Sequence, residues 1–236
     1  MGLFDFWKQF HKKPEREKRR IVGKIATYCN YAWAGIKVLF GLFSLSFFYC
    51  ISAIYTVCLG LSKHMVADGI AKCNHKISKE REYFAKIILI LFAATAVFLA
   101  YMLLLFFIPF NMEYSPVVAG LTVCLSVAEF VSAVIGIKKS YRERDLLLSA
   151  MTGIHLTGAF SAVVLAQVSI LSLAGAANAT LYNAIGGIIF GVLGSLVCAA
   201  MIVIYQKAGK YEKRLVITDP HWESLNGRGK NFSRKN

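Results

Sequence analysis

Acidic side chains are scarce in this sequence: 13 Asp and Glu stand against 27 Lys and Arg, and only Glu129 falls inside a long apolar stretch. With no second carboxylate beside it, intramembrane acid–base hydrolysis is not expected. No nucleophile stands next to a base, and no glycine-rich loop is spaced to cradle a phosphate, so an enzyme is not expected. Charge of any kind is thin, at 17% of residues against 57% hydrophobic. A soluble domain of 236 residues would expose far more. The six cysteines (Cys29, Cys50, Cys58, Cys73, Cys124, Cys198) are dispersed, five of them in apolar stretches. They read as small packing residues and not as a disulfide framework. No small-residue cleavage site follows a short apolar core near the start, so no cleavable signal is expected. Phe6 stands where a myristoylation signal wants Ser or Thr, so that anchor is not expected either.

The positive charge that is present is distributed in blocks. All Lys and Arg except Lys37 fall within residues 1–24, 62–86, 138–145 and 206–236. Between these blocks the chain turns at residues 44–46, 110–115 and 172–183, which contain no Lys or Arg and only Glu113 as a formal charge. Cytoplasmic loops retain Lys and Arg and translocated loops lose them. The alternation therefore predicts an all-α integral membrane protein with six transmembrane helices and both termini cytoplasmic, placed in the cell membrane as a multi-pass protein. The formal net charge of +14 then serves orientation and attraction to anionic lipid at the inner face of the bilayer. No nucleic-acid motif accompanies it, so nucleic acid is not an expected partner.

Three regions follow. Residues 1–24 form a basic amphipathic segment, in which Phe4, Phe6, Trp7 and Phe10 alternate with Lys8, Lys12 and Lys13, as in a helix lying at an interface. Residues 25–205 form the six-helix domain, with spans near 25–43, 47–61, 83–108, 117–137, 146–171 and 182–205. Pro109 stops the third, and Ser115-Pro116 starts the fourth. Residues 206–236 read as a basic, mostly disordered cytoplasmic tail.

Few polar residues interrupt the spans. Lys37 lies about 13 residues past Lys24, roughly 20 Å along a helix. An isolated ammonium at that depth costs about 2.5–3.5 kcal/mol, so it should find a partner or snorkel. Glu129 is the candidate for an intramembrane ion pair with Lys37. A second arrangement groups Tyr55, Glu129 and His155 at similar depth as a candidate transport path, with Glu129 and His155 relaying protons. Each of these residues can equally serve helix packing, as can Asn30 and Gln167. Gly187-x-x-x-Gly191 sets two glycines on one face for close helix packing, within the chain or in a homodimer. His64, Cys73 and His75 match no closed zinc pattern and lack a fourth ligand, so neither a metal site nor a cofactor is expected.

The run Ala34-Gly35-Ile36-Lys37, followed by Gly41-Leu42-Phe43-Ser44-Leu45-Ser46, is similar to the first helix and turn of the cation diffusion facilitator family. With Ser52-Ala53 through Ser62-Lys63 as a second helix and residues 149–162 as a fifth, the chain resembles that family's membrane domain over residues 25–205. The resemblance implies six helices with both ends inside, and export of a divalent cation in exchange for protons. It also implies metal ligands in a His/Asp-x-x-x-Asp pattern on helices two and five. Those positions fall here at Tyr55 and Leu59, and near Gly153 and Thr157, none of them a carboxylate. The 31 residues after residue 205 do not extend to the family's soluble C-terminal domain. Two functions are therefore expected: proton-coupled transport of a solute or cation that does not use a four-ligand metal site, or a non-transporting membrane scaffold or subunit.

Overall fold

The computed structural model describes residues 15–43, 46–73, 76–108, 116–140, 146–176 and 178–218. The expected interfacial helix around Phe4, Phe6, Trp7 and Phe10 lies outside them, as do His75, Glu113, the turn at 44–45 and residues 219–236. Among the described residues the chain is all helical, with α1 Glu15–Phe43, α2 Phe47–Lys72, α3 Ile77–Phe107, α4 Pro116–Ser140, α5 Leu146–Leu173 and α6 Ala179–Thr218. Five of the six, α2 to α6, are long and apolar enough to cross a membrane. Helix α1 has the length, at 29 residues, but Tyr28, Asn30, Tyr31 and Lys37 dilute its apolar character.

Local signals explain several helix ends. Pro116 opens α4, where its missing N–H would have had no partner in any case. Ile108, which precedes Pro109, leaves helical space at φ −126° and ψ 88°, as the proline ring requires of its neighbour. Helix α5 closes on Gly175 at φ +59°. The Ala176 N–H reaches the Leu171 carbonyl and the Gly175 N–H reaches that of Ser172, each at 3.3 Å. That pair of bonds satisfies two carbonyls the helix end would otherwise leave open. Helices α2, α3 and α6 run past the expected spans at their basic ends, and α6 continues 13 residues beyond residue 205 to Thr218. Lys, Glu and Arg are good helix formers and favour these continuations.

Packing contacts give the antiparallel register of each pair. Along α1 and α2, Gly23 meets Ala67, Gly60 meets Tyr31, and Gly41 meets Cys50, so the two helices lie side by side over their whole length. Along α3 and α6, Gly187 faces Met102, Gly191 faces Leu99, Gly194 faces Thr95 and Gly209 faces Arg81. The guanidinium of Arg81 also stacks 4.6 Å from the Tyr205 ring centroid. Helix α5 packs on α2, α3, α4 and α6, which makes α2 and α5 the central helices. More than half of the most apolar stretch of α2 is buried, against under a quarter of that of α4. All helix ends rich in Lys and Arg gather at one end of the bundle, called here the basic end; the other is the far end.

Helix α6 shows what burial requires where lipid surrounds the bundle. Its buried stripe, Ala184, Gly187, Gly191, Gly194, Cys198 and Met201, is spaced by alternating threes and fours. Small residues occupy most of it, and large ones such as Ile189, Val192 and Leu196 point outward. Lipid tails are as apolar as leucine, so close van der Waals approach, and not exclusion of oil from water, is what holds such a face.

Candidate functional site

Two hairpins, α1–α2 and α4–α5, meet unevenly. Toward the far end the Tyr49 hydroxyl on α2 lies 3.0 Å from Thr122 Oγ1 on α4, and Thr122 is itself anchored to the Val118 carbonyl at 2.7 Å. Gln167 Nε2 donates to the Tyr182 carbonyl at 2.7 Å, tying α5 to α6 at the same end. Toward the basic end α2 and α5 stay packed, Gly69 meeting Leu147, while α1 and α4 diverge. Helices α1 and α4 share no packed interface, and a cavity of about 500 Å³ lies between α1, α4 and α5, with Lys63 of α2 on its wall.

The cavity gathers three of the polar residues that the sequence places within the spans, Asn30, Glu129 and His155. Asn30 and Trp33 contribute from α1, Glu129 and Ser132 from α4, and His155 from α5. Lys63 Nζ donates to Asn30 Oδ1 at 3.3 Å. The other polar atom of that amide, Nδ2, is buried and has no hydrogen-bond partner among the described residues. Glu129 is half-buried and makes no ion pair within 4 Å among the described residues, yet it lies close enough to act electrostatically on both Lys63 and Lys37. A carboxylate that acts on two ammonium groups without closing on either remains available to a third party.

Lys37 takes a different partner. It is 1% exposed, and its Nζ donates to Thr56 Oγ1 at 2.7 Å. Thr56 in turn donates to the Ser52 carbonyl at 2.8 Å, so the ammonium feeds a hydrogen-bonded chain on the facing helix. The same nitrogen lies 5.4 Å from the Trp33 ring centroid, within range of a cation–π attraction. Thr56 lies seven residues from Lys63, about 10 Å along α2. The α1–α2 seam thus holds two lysines at successive depths, with Glu129 influencing both.

Of the three residues expected to share a path, Glu129 and His155 line the cavity and Tyr55 does not. Tyr55 is buried in the core, where its hydroxyl donates to the Thr157 carbonyl at 3.3 Å and its ring tilts on Phe98 at 5.6 Å. The helical period explains the separation: Tyr55 and Thr56 are about 100° apart around α2, so Thr56 turns toward α1 and Tyr55 toward the core. Gly187 and Gly191 face α3 of the same chain. A Cβ at Gly191 would stand 2.9 Å from Leu99 Cδ1, and one at Gly187 would meet the Met102 side chain.

Sequence reasoning treated Lys63 only as the start of a basic loop, and Asn30 only as helix glue. The signal available was register: Gly60 meets Asn30 and Tyr31, so a lysine one turn further along α2 reaches the same level of α1. No group of three or more metal-ligating side chains occurs among the described residues. Glu129 and His155 are two candidate ligands, short of the set that borderline divalent cations require. No family model, curated protein or solved structure matches the chain.

Proposed function

We propose that this protein is a six-span transporter of the cell membrane, with both termini cytoplasmic, whose inward-facing cavity exchanges a solute for protons. The observation that carries the reading is the placement of Glu129, His155 and Lys63 on one cavity toward the basic end, with the Tyr49–Thr122 contact joining α2 to α4 toward the far end. A binding space open toward one side and sealed toward the other is what alternating access requires of one conformational state. Carboxyl and imidazole groups facing such a space can take up and release protons with the solute. Support for α1 as the sixth span comes from its register: it accompanies α2 from Gly23 to Gly41, so a bilayer that holds α2 holds α1 at equal depth. Support for the orientation comes from Lys63, Lys72, Lys76, Lys79, Arg81 and Lys86, which surround one end of α2 and α3. Kinship with cation diffusion facilitators rests on the first-hairpin sequence pattern alone, and the reading takes a solute other than a four-ligand metal.

Orientation is tested by cysteines introduced into a cysteine-free background. A cysteine at Glu113 reacts with an impermeant maleimide from outside the cell, and one at Lys76 does not; the reverse result inverts the topology. Transport is tested in proteoliposomes with an imposed pH gradient and a panel of divalent cations and organic solutes. Glu129→Gln and His155→Ala each lower the wild-type flux by about tenfold or more. If wild type carries nothing across the panel, or both variants match it, the transport reading fails and a membrane scaffold or subunit becomes the better account.

A further inference from the structure

The cavity has an unusual mixture of walls. Most of its lining is apolar, and the formally charged side chains on its wall are Lys18, Lys63 and Glu129, so positive groups outnumber negative ones there and an anion suits it better than a cation. Its flanks are not sealed. Val22 and Ile25 on α1 are 50% and 53% exposed, Leu125 and Ile135 on α4 are 39% and 62% exposed, and all four line the cavity. Because α1 and α4 share no packed interface, the space opens sideways into whatever surrounds the bundle, and for a membrane protein that is lipid. A volume of about 500 Å³ is of small-molecule size, too small for a two-chain lipid but sufficient for its polar end. The buried Asn30 Nδ2, a donor with no hydrogen-bond partner among the described residues, adds a hydrogen bond that an anionic oxygen could accept. The competing occupant from this chain, the segment with Phe4, Phe6, Trp7 and Phe10, carries Lys8, Lys12 and Lys13 and would bring like charge toward Lys18 and Lys63.

We propose that the cavity binds the headgroup of an anionic phospholipid, admitted sideways between α1 and α4 with its acyl chains left in the bilayer. Basic pockets between helices at the cytoplasmic level suit such headgroups, each nearby lysine contributing attraction that bulk solvent would screen. The inference rests on the membrane reading and the orientation above, but not on transport. Lipid preference without flux would uphold it while sinking the transporter. Flux without lipid preference would do the opposite.

Trp33 lines the cavity and serves as the reporter. The chain has three tryptophans, so Trp7→Phe with Trp222→Phe leaves Trp33 alone in the full-length protein. Reconstituted with phosphatidylglycerol or phosphatidylcholine brominated high on the acyl chains, Trp33 is expected to be quenched preferentially by the anionic lipid. Lys63→Gln is expected to lower that preference about fivefold, and Lys63→Arg to retain it. Lys18→Gln supplies the same reading if Lys63→Gln does not fold. Equal quenching by the two lipids in the parent protein, or an unchanged preference in both glutamine variants, overturns the proposal. So does weak quenching by both lipids that becomes strong when Phe4, Phe6, Trp7 and Phe10 are replaced by serine, since the N-terminal segment would then be the occupant.

Discussion

The seam between α3 and α6 and the gap between α1 and α4 lie in one bundle and are built on opposite terms. At the α3–α6 seam, glycines at 187, 191 and 194 receive Met102, Leu99 and Thr95, and the backbones close to the distance that a hydrogen side chain allows. Around the gap, Trp33, Glu129, His155 and Lys63 line a cavity instead of a closed seam. In lipid, a close seam is stabilised by contact area, whereas polar groups that do not pair with each other leave space for a guest. One side of the bundle is therefore closely packed and the other holds a cavity.

The largest expected effect comes from breaking the seam. Gly187→Leu has no room beside Met102, and overpacking should cost about 3 kcal/mol, read as a lower midpoint of unfolding in mixed detergent–SDS micelles. An unchanged midpoint would mean that α6 can slide, and that the contrast with the gap is false. Next comes Thr56→Val, which keeps the shape of the α1–α2 contact but removes the acceptor of the Lys37 ammonium. Its cost should be about 2 kcal/mol, and Lys37→Met, which removes the buried charge altogether, should recover most of it in the double variant. If Thr56→Val is neutral, Lys37 draws its compensation from elsewhere. Glu129→Gln should change stability by less than about 0.5 kcal/mol, because Glu129 lines the cavity, is only half-buried and is replaced by an isosteric amide, while it lowers flux as stated above. A large loss of stability would move Glu129 from the site to the scaffold. Smallest of all, Lys86→Ala removes an exposed i,i+4 ion pair with Glu82 at 2.6 Å, and no measurable shift is expected.

How legible these regions are in the sequence differs residue by residue. The small-residue stripe of α6 is visible as a period, because lipid-facing bulk and protein-facing glycine alternate strictly around one helix. The cavity is not visible in that way. Glu129 and His155 share it, but Tyr55, at a comparable depth, faces away because depth along a helix says nothing of azimuth. Lys37 illustrates the same limit: its expected partner Glu129 lies near enough to act on it electrostatically, yet the hydrogen bond goes to Thr56, which the antiparallel register of one hairpin places opposite. Local reasoning identifies charges in spans, and only register assigns their neighbours.

The sequence alone determined the number of apolar stretches, the breaks at Pro109 and Pro116, and the concentration of positive charge at alternate turns. Those follow from local preferences and from hydropathy, which act within one helix at a time. Tertiary structure alone decided that Tyr49 meets Thr122 while α1 and α4 diverge toward the basic end, that Lys63 reaches Asn30, and that Glu129 acts on two lysines without closing on either. Those outcomes depend on the rotation and offset of whole helices against one another, which many small packing contacts set jointly and no single stretch of sequence contains.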